Sequence, residues 1–483
     1  MSALAALLRQ PRAKLAAGLI VLAAIATALA LDGSGGRSAR LVPGGAGAGG
    51  SFDPLSWSVG RSREFEAAAA DGLSHVLYAK SPGGVLASAQ RTAALRPRIE
   101  TAAKAGPIDA DTLEALVLLE SAGRPEAIAG SDLSSAAGLT QILASTATGL
   151  LGLRVDLTQS RRLTAQIAAS RGAGAAARLR ARRAKVDQRF DPLAALSATE
   201  RYLAVARRAF GRDDLAVESY HMGIGNLETA VRRFAGAAAG AGGVAGTVSN
   251  AALSYAKLYF ESTPLNHAAA YSWISALGDD SATYYWRMLA AKQIMRLYRA
   301  DPAGLRRQAA LQNGAGSAEQ VLRPPDITPS FADAPALAAA RASGAVLAVP
   351  SGAAASKVGL RSDVLLHLRP DALAALLYTT VGVRAIIGGT SLLALTAATT
   401  DTADLRTAAS ASRGLADADP VHASGYAFDI ARRYASPAQA QAFQFMLNRL
   451  QVLNLIAYQR TQRLIHVVAG PGAAKLRPVT ALR

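Results

Sequence analysis

Glu120 and Ser121 stand at the end of an apolar stretch, where a carboxyl group can do acid chemistry. The apolar residues before them recur at nearly 3.6-residue spacing, which predicts a helix that buries one face. These residues are Leu113, Leu116, Val117 and Leu119. Gly123 and Pro125 then end the helix, so we expect Glu120 to be half enclosed where the helix opens into a loop. Because such surroundings raise the pKa of a carboxyl group, Glu120 is a candidate general acid near neutral pH.

A single glutamate at a helix end is usually a solvated side chain, but two later motifs favour a functional interpretation. GLTQI follows at 138–142, and SYHMGIGN, which contains Tyr220, follows at 219–226. The order of a Glu-Ser pair, a Gly-Leu-x-Gln-Ile motif and a Tyr motif ending in Gly resembles the lytic transglycosylases of the soluble, goose-lysozyme-like kind. This resemblance spans roughly residues 95–226.

The resemblance implies a role for one residue of each motif. In that family the glutamate is the only catalytic carboxylate, which here would be Glu120. Ser121, Gln141 and Tyr220 would hold the sugar and position the reacting groups. Two positions depart from the family pattern, since Thr140 stands where Met is common and His221-Met222 replaces the usual Asn-Ala. Neither change affects the acid itself, so the implied reaction class stands.

The implied reaction cleaves the MurNAc-GlcNAc glycosidic bond of peptidoglycan strands without water. Glu120 would protonate the glycosidic oxygen and then accept a proton from the 6-hydroxyl of the same sugar, which leaves a 1,6-anhydro end. No second carboxylate recurs with the spacing of the ordinary two-carboxylate glycosidases, which disfavours hydrolysis. This chemistry requires no cofactor.

Composition and charge limit the fold class and the partners. A length of 483 residues favours two or three domains, and 51% apolar residues with only 5% aromatic residues suit closely packed helices. A net charge of +18 and a pI near 10.5 indicate attraction to polyanions. The most basic segment, 150–190, has no interleaved aromatics on which bases could stack, so we expect no nucleic-acid partner. Its arginines form either a solvated helical face or a contact with anionic wall polymer or membrane.

The N-terminus has the pattern of an export signal or a membrane anchor. Arg9, Arg12 and Lys14 precede an uninterrupted apolar run at 15–31, and a Gly/Ser-rich linker follows at 32–55. The run is slightly short for a membrane-spanning helix and long for a signal core, so cleaved signal and retained anchor both remain open. Either interpretation predicts an exported protein of the periplasm or cell envelope.

We predict an all-α, lysozyme-like catalytic domain at 56–310, a low-complexity linker at 311–357 and a small α+β domain at 358–483. The last domain contains His422, Gly425, Ala427 and Asp429, and later His466. This pattern resembles the His-x-x-Gly-x-Ala-x-Asp signature of the zinc D-alanyl-D-alanine carboxypeptidases. The resemblance implies a zinc site formed by His422, Asp429 and His466. Two imidazoles and one carboxylate suit zinc and leave a fourth position open.

The C-terminal resemblance lacks one functional residue. The general base of that family is a Glu shortly before the last His, and here Gln462 and Arg463 stand in that region. Neither can deprotonate a metal-bound water as a carboxylate can. We therefore interpret this domain as peptidase-like in shape, with a candidate zinc site, and as a wall-binding module. Two alternatives remain for the whole chain: a noncatalytic peptidoglycan-binding or scaffold protein, and a zinc D,D-peptidase that acts through its C-terminal domain.

Overall fold

The computed structural model describes residues 40–41, 51–236, 242–314, 318–350, 366–405 and 420–481. The predicted signal or anchor at 1–31 lies outside the described residues, as does most of the predicted linker at 32–55. The described part is mostly helical, as the sequence predicted, and its one sheet of more than two strands lies in the C-terminal region.

Short helices joined by brief turns make up the part that precedes residue 315. In chain order they are α1 (Ser62–Gly72), α2 (His75–Lys80), α3 (Val85–Ala93), α4 (Arg96–Ala103), α5 (Ala110–Ser121), α6 (Ala144–Gly149), α7 (Leu157–Ala169), α8 (Ala173–Val186), α9 (Pro192–Phe210), α10 (Asp213–Met222), α11 (Ile224–Ala235), α12 (Gly243–Asn250), α13 (Tyr255–Glu261), α14 (Ala268–Ala276), α15 (Tyr284–Ala300) and α16 (Pro302–Gly314). Two short strands, β1 (Arg40–Leu41) and β2 (Ser51–Phe52), pair in parallel before them.

Helix α5 is the central helix of this part, and the sequence sets both of its ends. Asp109 caps it by accepting a hydrogen bond from the amide of Thr112. Ala122 ends it in the left-handed conformation, with φ of 54°. Between these ends α5 is almost fully buried, and α3, α4 and α15 pack around it. The predicted stripe is thus a helix buried on nearly every side.

The C-terminal part is built around an antiparallel sheet of order β5-β6-β8-β7. Its elements, with those that lead into it, are α17 (Ala318–Leu322), α18 (Ala334–Ala342), β3 (Leu347–Ala348), β4 (His367–Leu368), α19 (Pro370–Ile387), β5 (Leu395–Ala397), β6 (Ala427–Ala431), α20 (Pro437–Val452), β7 (Ile456–Arg460) and β8 (Leu464–Ala469). Helices α19 and α20 pack against each other, and α19 also contacts β8. This mixture of a small sheet and helices is compatible with the predicted α+β class.

Helices α17 and α18 and strand β3 lie inside the segment predicted as a low-complexity linker, 311–357. Asp333 caps α18, and Leu337 and Val346 bury themselves in a small cluster with Phe331. Helix α17 packs against β7 and β8. The described residues of this segment are therefore ordered elements, although the domain boundaries themselves stay predictions.

Helix α19 is the one helix among the described residues that is long and apolar enough to cross a bilayer. However, 67% of it is buried within the fold. Such burial is typical of a core helix of a globular domain.

The two parts of the chain share one hydrophobic core, and a buried arginine joins them. Arg449 of α20 donates from Nη2 to the carbonyl of Leu55 over 2.8 Å and from Nη1 to the carbonyl of Phe260 over 3.2 Å. It also pairs with Asp53, which accepts a hydrogen bond from Tyr378 Oη over 2.9 Å. These contacts fix α19 and α20 against the helical part.

The same junction requires a glycine at the end of α1. A Cβ atom at Gly72 would lie 2.4 Å from the carbonyl oxygen of Gln451, at the end of α20. That is well inside van der Waals contact with backbone, so only glycine allows the two helices to approach this closely.

We expect Arg449→Ala to destabilise the whole chain by about 3–5 kcal/mol, because it breaks the buried ion pair with Asp53 and removes two hydrogen bonds to backbone carbonyls. Urea unfolding of the full chain, followed by circular dichroism, measures this loss. Arg433→Ala is the control, since Arg433 is exposed after β6 and its loss should change stability by less than about 0.5 kcal/mol. Equal midpoints for the two variants would show that the buried arginine does not hold the parts together.

Candidate active site and metal centre

Glu120 lies in the last turn of α5, half-buried where the helix meets a loop. Tyr284 Oη donates a hydrogen bond to Glu120 Oε1 over 2.6 Å. The end of the helix is also fixed from α3, because Arg91 Nε donates to the carbonyl of Ala122 over 3.1 Å. Tyr284 thus holds the carboxyl group predicted as an acid, and Arg91 holds the backbone at the end of its helix.

Burial raises the pKa of Glu120 to about 7. The hydrogen bond from Tyr284 and the nearby Arg287 guanidinium oppose this shift, and the carboxylate of Asp280 adds to it. A substantial fraction of Glu120 is therefore protonated at neutral pH, and its conjugate base is also accessible there. A group that can both give and take a proton at neutral pH suits general acid-base catalysis.

Tyr284 is the residue of this site that the sequence analysis did not identify. It is the first residue of α15 and is 1% exposed. The sequence places it in an aromatic-rich segment that is read more simply as core, and no spacing rule connects it with a glutamate 164 positions earlier. Its neighbours on the site are Arg287, also on α15, and Asp280, with which Arg287 forms an ion pair.

Tyr220, predicted to hold the sugar, lies beside Tyr284. Their rings stack with centroids 6.4 Å apart, and Tyr202 meets Tyr220 edge to face at 5.2 Å. The Tyr220 hydroxyl donates to the carbonyl of Thr140 over 2.7 Å and lies 3.2 Å from Thr199 Oγ1. The tyrosine therefore connects α10 with the GLTQI motif and contributes an aromatic wall near Glu120.

Gln141 has a left-handed backbone, with φ of 50°, and its side chain binds its own loop. Its amide nitrogen donates to the carbonyls of Gly138, over 2.8 Å, and Ala127, over 3.2 Å. Gly138 is required here, because a Cβ atom would lie 1.8 Å from the carbonyl oxygen of Arg189. A sugar contact of Gln141 stays a prediction, and the structure adds a loop-forming role.

Ser121 is 2% exposed and contacts backbone. Its hydroxyl donates to the carbonyl of Val117 over 3.3 Å and accepts from the amide of Arg124 over 3.2 Å. These bonds satisfy polar groups at the C-terminal end of α5. The predicted sugar contact of Ser121 is likewise untested, and its described contacts are those of a helix end.

The arginine-rich segment forms the hairpin α7-α8 and continues to Phe190, and some of its cations are buried while others are exposed. Arg183 and Arg189 are buried: Arg183 pairs with Glu126 and lies 3.6 Å over the Phe190 ring, and Arg189 pairs with Asp187. These two arginines are structural. Within the hairpin 157–186, the exposed cations for which the structure shows no ion pair to a described residue are Arg162, Arg171, Arg178, Arg182 and Lys185. Because the sequence 157–186 contains no carboxylate, this hairpin is a cationic surface.

The second site joins the three residues predicted to bind zinc. The candidate ligand atoms of His422, Asp429 and His466 all lie within 4.8 Å of one another, and all three residues are buried. Asp429 of β6 and His466 of β8 are directly opposite in the sheet, with 2.7 Å between Oδ1 and Nδ1. His422 comes from a 3₁₀ turn, Pro420–Ser424, and its Nε2 lies 3.2 Å from the same Oδ1.

A backbone contact of His422 determines the tautomer of its imidazole ring. Its Nδ1 lies 3.0 Å from the carbonyl oxygen of Ala398, which can only accept, so Nδ1 carries the hydrogen. In the neutral ring the lone pair of Nε2 then faces a carboxylate oxygen, and a proton or a metal ion between them relieves the repulsion. A backbone carbonyl that orients the ring in this way is typical of histidine ligands.

Both histidines also act on Asp429. Burial by itself would raise the pKa of its carboxyl group, but the two histidine rings at hydrogen-bonding distance outweigh burial and hold the pKa well below its usual range. Asp429 is therefore a carboxylate at neutral pH, as a metal ligand must be. The donor set of two imidazoles and one carboxylate fits zinc.

The turn between β7 and β8, where the zinc peptidases carry their general base, contains no carboxylate, as the sequence indicated. Gln462 and Arg463 are exposed between β7 and β8. Another acidic residue reaches this side of the sheet: Gln459, opposite His466, donates to Glu319 Oε2 of α17 over 3.1 Å. Glu319 is 1% exposed and was not identified from the sequence.

The family described as Transglycosylase SLT domain matches residues 97–239, which is under a third of the chain. This range contains Glu120, Gln141 and Tyr220 and ends before Tyr284. This match supports lytic transglycosylase activity on peptidoglycan strands at the family level. The match does not extend to the C-terminal part. No curated protein and no solved structure matched the chain.

We expect Tyr284→Phe to raise the pKa of Glu120 further, because the hydroxyl group stabilises the charged carboxylate. A hydrogen bond to a charged group contributes about 1.5–3 kcal/mol, so the rise should be about one to two units. Carbon-13 NMR titration of labelled glutamate side chains measures it. Tyr298→Phe, at the other end of α15, is the control and should leave Glu120 unchanged. An unchanged Glu120 titration in Tyr284→Phe would contradict the hydrogen bond.

Proposed function

We propose that this protein is a peptidoglycan lytic transglycosylase in which Glu120 is the only catalytic carboxylate. The observation that carries the proposal is the half-buried Glu120 carboxyl, with a pKa of about 7 and a hydrogen bond to Tyr284, inside a transglycosylase SLT domain. Its substrate is the MurNAc-GlcNAc bond of the glycan strand.

The reaction consists of two proton transfers through one carboxyl group. Protonated Glu120 gives its proton to the glycosidic oxygen as the bond from that oxygen to the MurNAc anomeric carbon breaks. The carboxylate then takes the proton of the MurNAc 6-hydroxyl, whose oxygen bonds to the anomeric carbon. The proton lost in the first step is regained in the second, so Glu120 ends in its starting form and no water is consumed.

The environment of Glu120 supports one carboxylate acting alone. Asp280, the acidic neighbour whose charge acts on Glu120, is paired with Arg287, so its negative charge is largely compensated. Between the two proton transfers Glu120 is a carboxylate, and the Tyr284 hydroxyl stabilises this charged form by donating a hydrogen bond to it. The aromatic rings of Tyr220 and Tyr284 add a rigid wall.

Location and further partners follow from the charged and apolar segments of the chain. We propose an exported protein of the periplasm or cell envelope, since its substrate lies there and the sequence 1–31 has the pattern of a signal or anchor. The cationic surface of the α7-α8 hairpin suits an anionic wall polymer or membrane surface. Salt should weaken such a contact, because its cations are exposed.

A second candidate function belongs to the C-terminal part, where the convergence of His422, Asp429 and His466 favours a zinc site. His422 and His466 would hold the ion by ring nitrogens and Asp429 by its carboxylate. When bound, zinc supplies Lewis acidity to a substrate carbonyl or water. Because the turn with Gln462 and Arg463 provides no base, we propose a peptidase-like module that binds the wall without cutting it.

Glu120→Gln should reduce lysis of purified peptidoglycan at least about a hundredfold, because the amide keeps the shape of the side chain but cannot donate the proton. Release of soluble fragments measures the rate. Glu200→Gln is a matched control: Glu200 is 3% exposed, burial also raises its pKa to about 7, and its carboxyl group accepts from the amide of Ile108. Retained lysis in Glu120→Gln, or equal loss in Glu200→Gln, would refute the assignment of Glu120.

The full chain should take up about one zinc ion, and His466→Ala should abolish this uptake, because one of the three ligands is lost. Elemental analysis after loading and dialysis measures the ratio. His75→Ala is the control, since that histidine bonds Gln312 on another part of the fold. A wild-type protein that retains no zinc would contradict the metal site and leave the lysis experiment unaffected.

A further inference from the structure

His221 departs from the family pattern, and it lies against the tyrosine that contacts Glu120. The rings of His221 and Tyr284 stack with centroids 5.2 Å apart and an interplanar angle of 22°. Both His221 and Tyr220 are on α10, so the Tyr284 ring contacts two consecutive residues of one helix. The ring that delivers the hydroxyl to Glu120 therefore depends on α10 for its orientation.

The imidazole is itself fixed. His221 Nδ1 shares a hydrogen bond of 2.9 Å with Ser281 Oγ, and Ser281 is 3% exposed. Ser281 begins the 3₁₀ turn Ser281–Thr283 that leads directly into α15 at Tyr284. One histidine thus contacts both the ring of Tyr284 and the turn from which Tyr284 emerges.

The other edge of His221 faces an ion pair. His221 Nε2 lies 3.9 Å from Asp280 Oδ1, and Asp280 is paired with Arg287. The charged and titratable groups around Glu120 and this histidine are therefore Asp279, Asp280, Arg287, Tyr220 and Tyr284. These groups come from α10, α15 and the turn between α14 and α15.

We propose that His221 is a positioning residue for the transglycosylase reaction: it holds Tyr284 so that the tyrosine hydroxyl meets Glu120. The inference rests on the proposed function. The described contacts of His221 are with Tyr284, Ser281 and Asp280, and none of them is with Glu120. Because Asp280 is already paired with Arg287, the proposed route from His221 to Glu120 runs through Tyr284. A histidine in place of the usual asparagine supplies a flat ring, which an amide side chain cannot stack in the same way.

His221→Ala should lower kcat on soluble peptidoglycan fragments about tenfold while KM changes little, because misplacement of a catalytic contact affects the reaction step. The basic limb of the pH profile of kcat/KM should move to higher pH. Loss of the Tyr284 hydrogen bond destabilises the carboxylate, so Glu120 stays protonated to higher pH. This direction is the same as that expected for Tyr284→Phe.

Two further variants separate positioning from general damage. His221→Phe keeps a ring against Tyr284 and should restore most of kcat. In a Tyr284→Phe background, His221→Ala should cause no further shift of the basic limb, because the hydroxyl through which it acts is already gone. His75→Ala is the control, with the same substitution on α2, and should leave kcat and the pH profile unchanged.

The outcomes are distinguishable. A raised KM with unchanged kcat in His221→Ala would make His221 a sugar contact and overturn the positioning role. A further shift in the Tyr284→Phe background would overturn it as well, since His221 would then act on Glu120 by another route. If Glu120→Gln retains lysis, the proposed function fails first. If only the His221 variants behave like wild type, this inference fails alone.

Discussion

Enclosure of the Glu120 carboxyl is the constraint on which the site depends. Glu120 lies in the last turn of the apolar helix α5, and a helix C-terminus carries partial negative charge, which disfavours a carboxylate there. With a folded-state pKa of about 7 against an ordinary 4.5, the folded state gains protons relative to the unfolded chain between these values. Stability therefore falls as pH rises from about 4.5 to about 7, by up to about 3 kcal/mol. This loss of stability falls at the position that we propose as the site of proton transfer.

The rest of the fold limits how that carboxyl can relax. Helix α15 brings Tyr284 to it, α10 supports Tyr284 through Tyr220 and His221, and Arg91 fixes the carbonyl at the helix end. The C-terminal part is packed on the same core through Arg449. The two candidate sites thus belong to one folded unit, although each uses its own residues and can be tested separately.

Local patterns in the sequence were sufficient for the features that depend on neighbouring residues. The spacing of Leu113, Leu116 and Val117 predicted helix α5, and Gly123 predicted its end. The order of three motifs indicated a lytic transglycosylase part, which the SLT match supports at the family level. Asp429 and His466 lie together because β6 and β8 are paired in register, and the turn before β6 brings His422 to them. Their metal remains a proposal.

Features that depend on distant partners were not predictable in this way. Tyr284 belongs to the site only because α15 packs against α5, and nothing in its own segment distinguishes it from core aromatics. From the sequence, Arg183 and Arg189 were assigned to a charged surface. In the structure they are buried and paired with Glu126 and Asp187. The short helices α17 and α18 lie in an Ala/Gly/Pro-rich segment whose composition did not predict them. They are stabilised by the Asp333 cap and by tertiary contacts.

In the proposed reaction, one enclosed carboxyl group cleaves the glycan strand without water. This can be tested by digesting purified peptidoglycan in water enriched in the heavy oxygen isotope and analysing the new ends by mass spectrometry. We predict new MurNAc ends that are lighter than the hydrolysis product by one water and carry no isotope label. Labelled reducing ends would show that water attacks the anomeric carbon, and would contradict the account of Glu120 as both acid and base to the sugar's own hydroxyl.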